Sequence, residues 1–433
     1  MKKNNLYSLA KKLFPINRSI TGEGVRSTLR ILKNINHLLK IYEIRSGTKV
    51  FDWKIPLEWN VKDAWIKDAK DKKIIDFKKN NLHLMSYSIP VNKSVKFDEL
   101  KKHLYFHNSR PNAIPYVTSY YKKKWGFCLS KNQLRKLKNE TYKVKIDSNF
   151  KKGSLTYGEI FIPGRLKKEI FLSTYICHPS LANNEVSGPC VAIFISNWIK
   201  KITNRKYSYR IIFIPETIGS IAYLSKNYKK MKKNILAGYN LTCLGDDRTY
   251  SYLPSRAENT ISDKIAKHVL KWKYKKYKRY KWTDRGSDER QYCSPGIDLP
   301  IATICRSKFA EYPEYHTSDD NLKKVVSAKG LLGSFEIYKE VITAIEKNCF
   351  PKVKTLGEPM LSKRNIYPLE LEKNNQDFKN YNFLMGMHFL SYCDGKHSLL
   401  DIAEKCEEPI WNLYKYLEIY KFKKIITTRN ILN

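Results

Sequence analysis

The sequence holds no Cys-x-x-Cys pair, no long apolar run and few acidic residues. Its nine cysteines, scattered from Cys128 to Cys406, are odd in number and lack framework spacing. That pattern fits buried thiols in a reducing compartment and places the chain in the cytoplasm. No stretch reaches the roughly 20 consecutive apolar residues of a membrane span, so none is expected. The opening MKKNNLYSLAKKLFPINRS is basic but has no apolar segment and no small-residue cleavage site, unlike a signal peptide. Acidic residues number 41 against 81 Lys and Arg, a formal net charge of +40. Such an excess suits a polyanion-binding surface. Lysine, however, far outnumbers arginine, and Asn, Ile and Tyr are abundant, as an AT-rich genome tends to write. Specific base readout favours the planar arginine fork. Nucleic acid is therefore not the expected partner, whereas an acidic substrate stays open.

What is present is ample for folding. With 433 residues, 42% hydrophobic and 13% aromatic, two or three compact units are expected. Residues 1–48 read as helical, with Thr21 or Gly22 preceding EGVRSTLRILKNINHLL. Over 49–160, short alternating segments (LHLMSYSI, KKKWGFCL, TYKVKI) broken by Pro, Gly and Asn suggest an inserted β-rich domain. Over 161–350 strands alternate with helices. EIFLSTYI, YRIIFIP, KNILAGYNLTCL and LPIATICR are the strands, and SDDNLKKVVSAKGLLGSFEIYKEVITAIEK reads as one long capped helix. This alternation predicts an α/β core, a mostly parallel sheet covered by helices. Residues 351–378 read as a linker. Residues 379–433 read as three helices and a short ribbon, a winged-helix-like domain with Ser398 as a cap. The segment KWKYKKYKRYKW (271–282) mixes bases with aromatics as single-strand binders do, but a lysine-rich solvated helix face is the plainer reading.

Four polar residues follow predicted strands: His178, Glu216, Asp246 and His316. In a parallel sheet they fall at the carboxyl edge, where ligand sites gather. Two imidazoles with carboxylates form a set that Zn²⁺ accepts. Pro179 biases His178 toward extended backbone, and Glu216 sits where a helix dipole favours a carboxylate. Cys177 and Cys190 flank the loop as buried thiols.

The segments LFPINRSITGEG, CHPSLANNEVSGP, PETIGSIAYL, NLTCLGDDRTYSYLPSR, DRGSDERQYCSPGIDLP and EYPEYHTSDD run from residue 13 to 320. Together they resemble the zinc aminopeptidase-like clan. More closely, they are similar to a bacterial family of aminopeptidase-like proteins associated with surface-polysaccharide biosynthesis, in which a C-terminal winged helix is usual. The resemblance implies that His178 and His316 are metal ligands and Glu216 a general base. It also marks departures. The family's second Glu falls on Thr217, and its bridging Asp on Asn184, whose amide oxygen is a poorer ligand. Its third-strand ligand falls on Thr242, Asp246 or Asp247. These departures argue against a two-zinc site and for one zinc per chain, held by His178, His316 and one carboxylate, with Asp246 and Asn184 as further candidates. Glu216 is then base or ligand, and Glu185 a substitute for the missing Asp. Arg256, Ser287, Asp288 and Arg306 lie in the same motifs and are candidate substrate contacts, against structural ion pairs.

The expected function is zinc-dependent amide hydrolysis of a peptide or of an amide in a glycan precursor. The alternative is a non-catalytic protein that keeps the fold for polysaccharide assembly. A homo-oligomer stays open. The candidate recognition helix EPIWNLYKYLEIY has one Lys and two Glu, which suits packing more than DNA binding.

Overall fold

A computed structural model describes residues 3–366 and 381–431. It forms two compact units: residues up to Asp263 with Lys276–Glu336, and Lys264–Lys275 with the residues from Ile337 onward.

An eight-stranded sheet organises the first unit. Its middle is parallel: Ser208–Ile214, Glu169–Tyr175, Ile235–Asn240 and Ile301–Cys305, neighbours in that order. All four are buried along their whole length. That is why they read as continuous apolar runs rather than as alternating strands. The flanking pairings are antiparallel except at one edge, where Lys278–Arg279 runs parallel to Ser251–Leu253. Ser154–Ile162 pairs with Ser208–Ile214, and Lys40–Arg45 pairs with Ser154–Ile162. Ser251–Leu253 runs antiparallel to Ile301–Cys305 on the other side. The sheet is thus parallel where the site lies and mixed at its margins.

The helix Ser187–Lys200 packs on this sheet. A Cβ at Gly188 would lie 2.4 Å from both the Leu241 carbonyl oxygen and Thr174 Oγ1, so only glycine permits the close approach. The sequence places the start of this helix at Pro189. Instead Ala182–Val186 forms a wide π-type turn, with Val186 N–H bonded to Leu181 O at 3.2 Å, and the helix follows directly. Single π turns inside helices cluster at functional sites.

A second sheet of four antiparallel strands, in the order Lys73–Asp76, Glu58–Lys67, Thr141–Lys151, Val91–Lys96, lies in the segment read as β-rich. Thr141–Lys151 alternates exposed and buried positions, as a half-buried strand must. LHLMSYSI is not a strand. Asn80 accepts from Leu82 N–H and starts one 3₁₀ turn there. The helix expected from SDDNL onward begins only at Ala328, after a run of turns held by Asn321 and Ser327.

In the second unit, Ser398 and Asp401 form a reciprocal cap on Leu399–Lys405, as the sequence suggests. Tyr381–Ser391 and Ile410–Phe422 are the other two helices of the predicted trio. Ile426–Asn430 pairs antiparallel with Cys349–Val353, so the first residues assigned to a linker are a strand. Residues 367–378 of that linker lie outside the described residues. No described helix is long and apolar enough to cross a membrane. All nine cysteines are free, and eight of them are buried.

Candidate functional site

His178 leaves the Glu169–Tyr175 strand and is held from behind. Its Nδ1 is 2.8 Å from Glu185 Oε2, and its carbonyl accepts Arg18 Nε–H at 3.0 Å. Arg18 also lies 3.4 Å from Glu185 Oε1, and both side chains are buried. This explains two sequence segments at once. LFPINRS delivers the buried cation, and the π turn delivers the carboxylate it neutralises. Burial disfavours the His178 imidazolium, but the Glu185 hydrogen bond and the Glu216 charge outweigh it, so its pKa is raised.

The other edge of the imidazole faces Glu216. His178 Nε2 lies 3.6 Å from Glu216 Oε2. Glu216 follows the Ser208–Ile214 strand, and its Oε1 accepts Ser287 Oγ–H at 2.8 Å. Burial raises its pKa, opposed by His178, Ser287 and Arg290. Behind it Thr217 takes φ 61° and ψ −78°. A β-branched residue rarely adopts that backbone, at a cost of about 1–3 kcal/mol. Asp288 holds the turn, accepting Thr217 N–H and Ser220 Oγ–H, each at 2.8 Å. Burial and the neighbouring Glu216 push Asp288 up to about 8.

His316 completes the cluster from a loop, also with positive φ (53°). Its ring centre is 5.4 Å from that of His178, and Tyr315 stacks on it at 3.9 Å. Burial, and then His178, lower its pKa to about 3, so the ring is neutral. Its Nε2 is buried without a hydrogen-bond partner among the described residues, as is Asn184 Oδ1. Asn184 is fixed by its other atoms: Nδ2 donates to Tyr175 OH at 2.6 Å, and its backbone N–H donates to Asp320 Oδ2 at 3.0 Å. Asp320 also accepts Asn183 N–H and Tyr312 O–H, at 2.7 and 2.8 Å, and so orders the whole turn.

The inserted segment roofs the site. Tyr116 N–H donates to His316 O at 2.8 Å, and Pro115 bridges to Thr317. The Tyr116 ring meets His178 and His316 edge-on, at 4.9 and 5.2 Å. Arg110 pairs with Asp319 at 2.6 Å to fasten the same junction. Nothing in the sequence marks Tyr116, because its role depends on a contact across 200 residues of chain.

Several expected residues lie elsewhere or act differently. Asp246 is filled by four donors: Asn183 Nδ2–H, Ser307 N–H, Ser307 Oγ–H and Arg248 N–H, at 2.9–3.0 Å. A carboxylate has about four lone-pair positions, so Asp246 joins loops with its acceptor positions occupied. Arg306 binds the Asp246 carbonyl, lies 3.5 Å from Asp247 and sits over the Tyr250 ring at 4.0 Å, a structural set of contacts. Arg256 pairs with Asp298 at the surface. Both side chains are engaged by partners within the chain. Of the remaining two candidates, Ser287 touches Glu216 itself, while Asp288 supports the turn behind it.

Cys177, His178 and Glu185 also place three donor atoms within 4.8 Å of one another. That trio is a poor metal site. The Glu185 carboxylate already bonds His178 Nδ1 and faces the buried Arg18 cation. The Cys177 thiol accepts Glu216 N–H at 3.2 Å, and burial with two nearby carboxylates holds its pKa well up, against thiolate formation. The zinc that the sequence resemblance implies would find its donors on the opposite edge, where His178 Nε2 lies 3.6 Å from Glu216 Oε2. His316 Nε2 and Asn184 Oδ1 are buried with no hydrogen-bond partner among the described residues. Thr217 and Asn184 supply no charge for a second ion.

Comparison with known proteins shows the family and the fold. A domain of unknown function (DUF4910) matches residues 7–348, and a winged helix-turn-helix matches residues 348–428. A Clostridium acetobutylicum protein described as a candidate polysaccharide biosynthesis protein with an aminopeptidase-like domain is 46% identical over 402 residues, covering 92% of this chain and 91% of its own. The crystal structure of a candidate peptidase from the same organism superposes with a TM-score of 0.91 at 42% identity, covering 98% of this chain and 96% of that one. A zinc aminopeptidase from Bacillus subtilis shares the fold, with a TM-score of 0.59 at 12% identity over 79% of this chain and 94% of that one.

Proposed function

Because the chain belongs to the bacterial family of aminopeptidase-like proteins of polysaccharide biosynthesis, we propose that it is a zinc-dependent amide hydrolase. Its substrate would be a peptide, or an amide in a surface-polysaccharide precursor. The observation that carries this reading is the pair of imidazoles, His178 buried and His316 half-buried, 5.4 Å between ring centres, with Glu216 3.6 Å from His178 Nε2.

One zinc would be held by His178, His316 and the Asn184 amide oxygen. When bound, it supplies Lewis-acid polarisation of the amide carbonyl and acidifies water. Glu216 Oε2 accepts the water proton and returns it to the leaving amine, while Ser287 fixes its other oxygen. Glu185 orients His178, and Tyr116 with Tyr315 keeps bulk water from the imidazoles. Nine unpaired cysteines support work in a reducing compartment such as the cytoplasm.

Glu216→Gln tests the chemistry. It should retain zinc and the fold yet lose amide hydrolysis by about a hundredfold or more. Unchanged turnover would contradict it. The neutral Asn184 and Thr217 favour a second reading, a non-catalytic binding or scaffold protein. Under that reading Glu216→Gln leaves glycan assembly intact.

A further inference from the structure

Arg290 stands beside Thr217, exposed to solvent. Its Nη2–H donates to Thr217 Oγ1 at 2.7 Å, directly after Glu216. It is close enough to act electrostatically on both Glu216 and Tyr315, from the two loops that frame the imidazoles. Other arginines of this unit already face a carboxylate: Arg248 on Glu314, Arg256 on Asp298, Arg306 near Asp247. Arg290 differs. Among the described residues its side chain is hydrogen-bonded to a neutral hydroxyl and forms no ion pair. The hydroxyl is itself fixed, since Thr217 is pinned in its unusual backbone by Asp288.

A guanidinium held in this way presents its remaining N–H groups to whatever enters the cleft. The planar fork matches the two oxygens of a carboxylate. It also repels an ammonium group, and the chain's net charge of +40 adds a long-range pull on anions.

We propose that Arg290 is the specificity-determining residue of this site, and that the substrate carries a carboxylate which Arg290 binds while its amide lies between Glu216 and the two imidazoles. The inference rests on the hydrolase reading only for the position of that amide. Thr217 is the positioning residue that aims the guanidinium.

The test is binding, so it does not depend on turnover. Full-length protein is titrated calorimetrically at low salt with two matched probe pairs: Ala-Asp-amide against Ala-Asn-amide, and Asp-Ala-amide against Asn-Ala-amide. The acidic member of at least one pair should bind about tenfold more tightly or better. Arg290→Gln should abolish that preference. Arg135→Gln, which removes an exposed charge elsewhere, should leave it in place. Absence of acidic preference in both pairs overturns the proposal. So does a preference that survives in Arg290→Gln, as direct coordination of the carboxylate by a metal would give. A protein without zinc or hydrolysis that still shows the Arg290-dependent preference would keep this inference and lose only the hydrolase reading.

Discussion

Glu185 accepts the Nδ1–H of His178 at 2.8 Å, and this single bond sets the orientation of the site. A carboxylate can only accept, so Nδ1 carries the proton, and Nε2 is the atom turned toward Glu216. Carboxylate–histidine pairs of this kind fix the ring and its tautomer at metal sites, and losing the outer partner typically costs 10–100-fold in affinity. Glu185→Gln should therefore weaken zinc binding by about tenfold or more while His316 stays in place. Competition with a chromophoric chelator measures it, and unchanged affinity would show that the bond is incidental.

Asn184 is the inverse case. Its Oδ1 is buried without a partner while Nδ2 is tied to Tyr175. Asn184→Asp puts a carboxylate at the open acceptor and should tighten zinc by about tenfold or more. The same chelator competition reads it, and weaker binding would remove Asn184 from the ligand set.

Tyr116 packs edge-on against both imidazoles from the inserted segment. Truncating a packed aromatic typically costs about 3–5 kcal/mol when fully buried, and less at this partly buried position. Tyr116→Ala should lower activity sharply with a modest fall in thermal midpoint, whereas Tyr116→Phe should keep the packing and most of the stability. Equal behaviour of the two variants would point to the hydroxyl instead of the ring.

In the second unit, His268 Nδ1 bonds Glu404, and Nε2 accepts the Ile410 N–H at 2.8 Å. The His268 contact, partly opposed by burial, lowers Glu404 to about 2. A depressed carboxylate stabilises the fold fully above its unfolded pKa of about 4.3 and loses that contribution as pH falls through its folded value. Urea midpoints measured between about pH 5 and 2 should fall more steeply in the native protein than in Glu404→Gln. Parallel slopes would show that the pair contributes nothing.

Much of this was legible in the sequence because it is local. Continuous apolar runs marked the four buried strands, and Ser398 marked its helix. His178 and Glu216 were visible at strand ends, and His316 in the loop that follows the Ile301–Cys305 strand. What escaped depends on distant partners. Asp246 looks like a ligand in GDDR, but Asn183 and Ser307 arrive from other loops to fill it. Arg306 and Arg256 sit in conspicuous motifs, and their partners Asp247 and Asp298 are distant in sequence. Tyr116 and Arg290 gain their places only when the insertion and the Ser287–Tyr292 turn fold against the cleft. The parallel interior was predictable from the alternation of strands with helices. The antiparallel flanks were not, since pairing partners carry no periodic signal of their own.

The most direct test is zinc content by elemental mass spectrometry of full-length protein purified without added metal. About one ion per chain is expected for the native protein, and close to none for the His178→Ala, His316→Ala double variant. A native protein that carries no zinc and takes up none on addition would contradict the assignment, as would a double variant that retains the full complement.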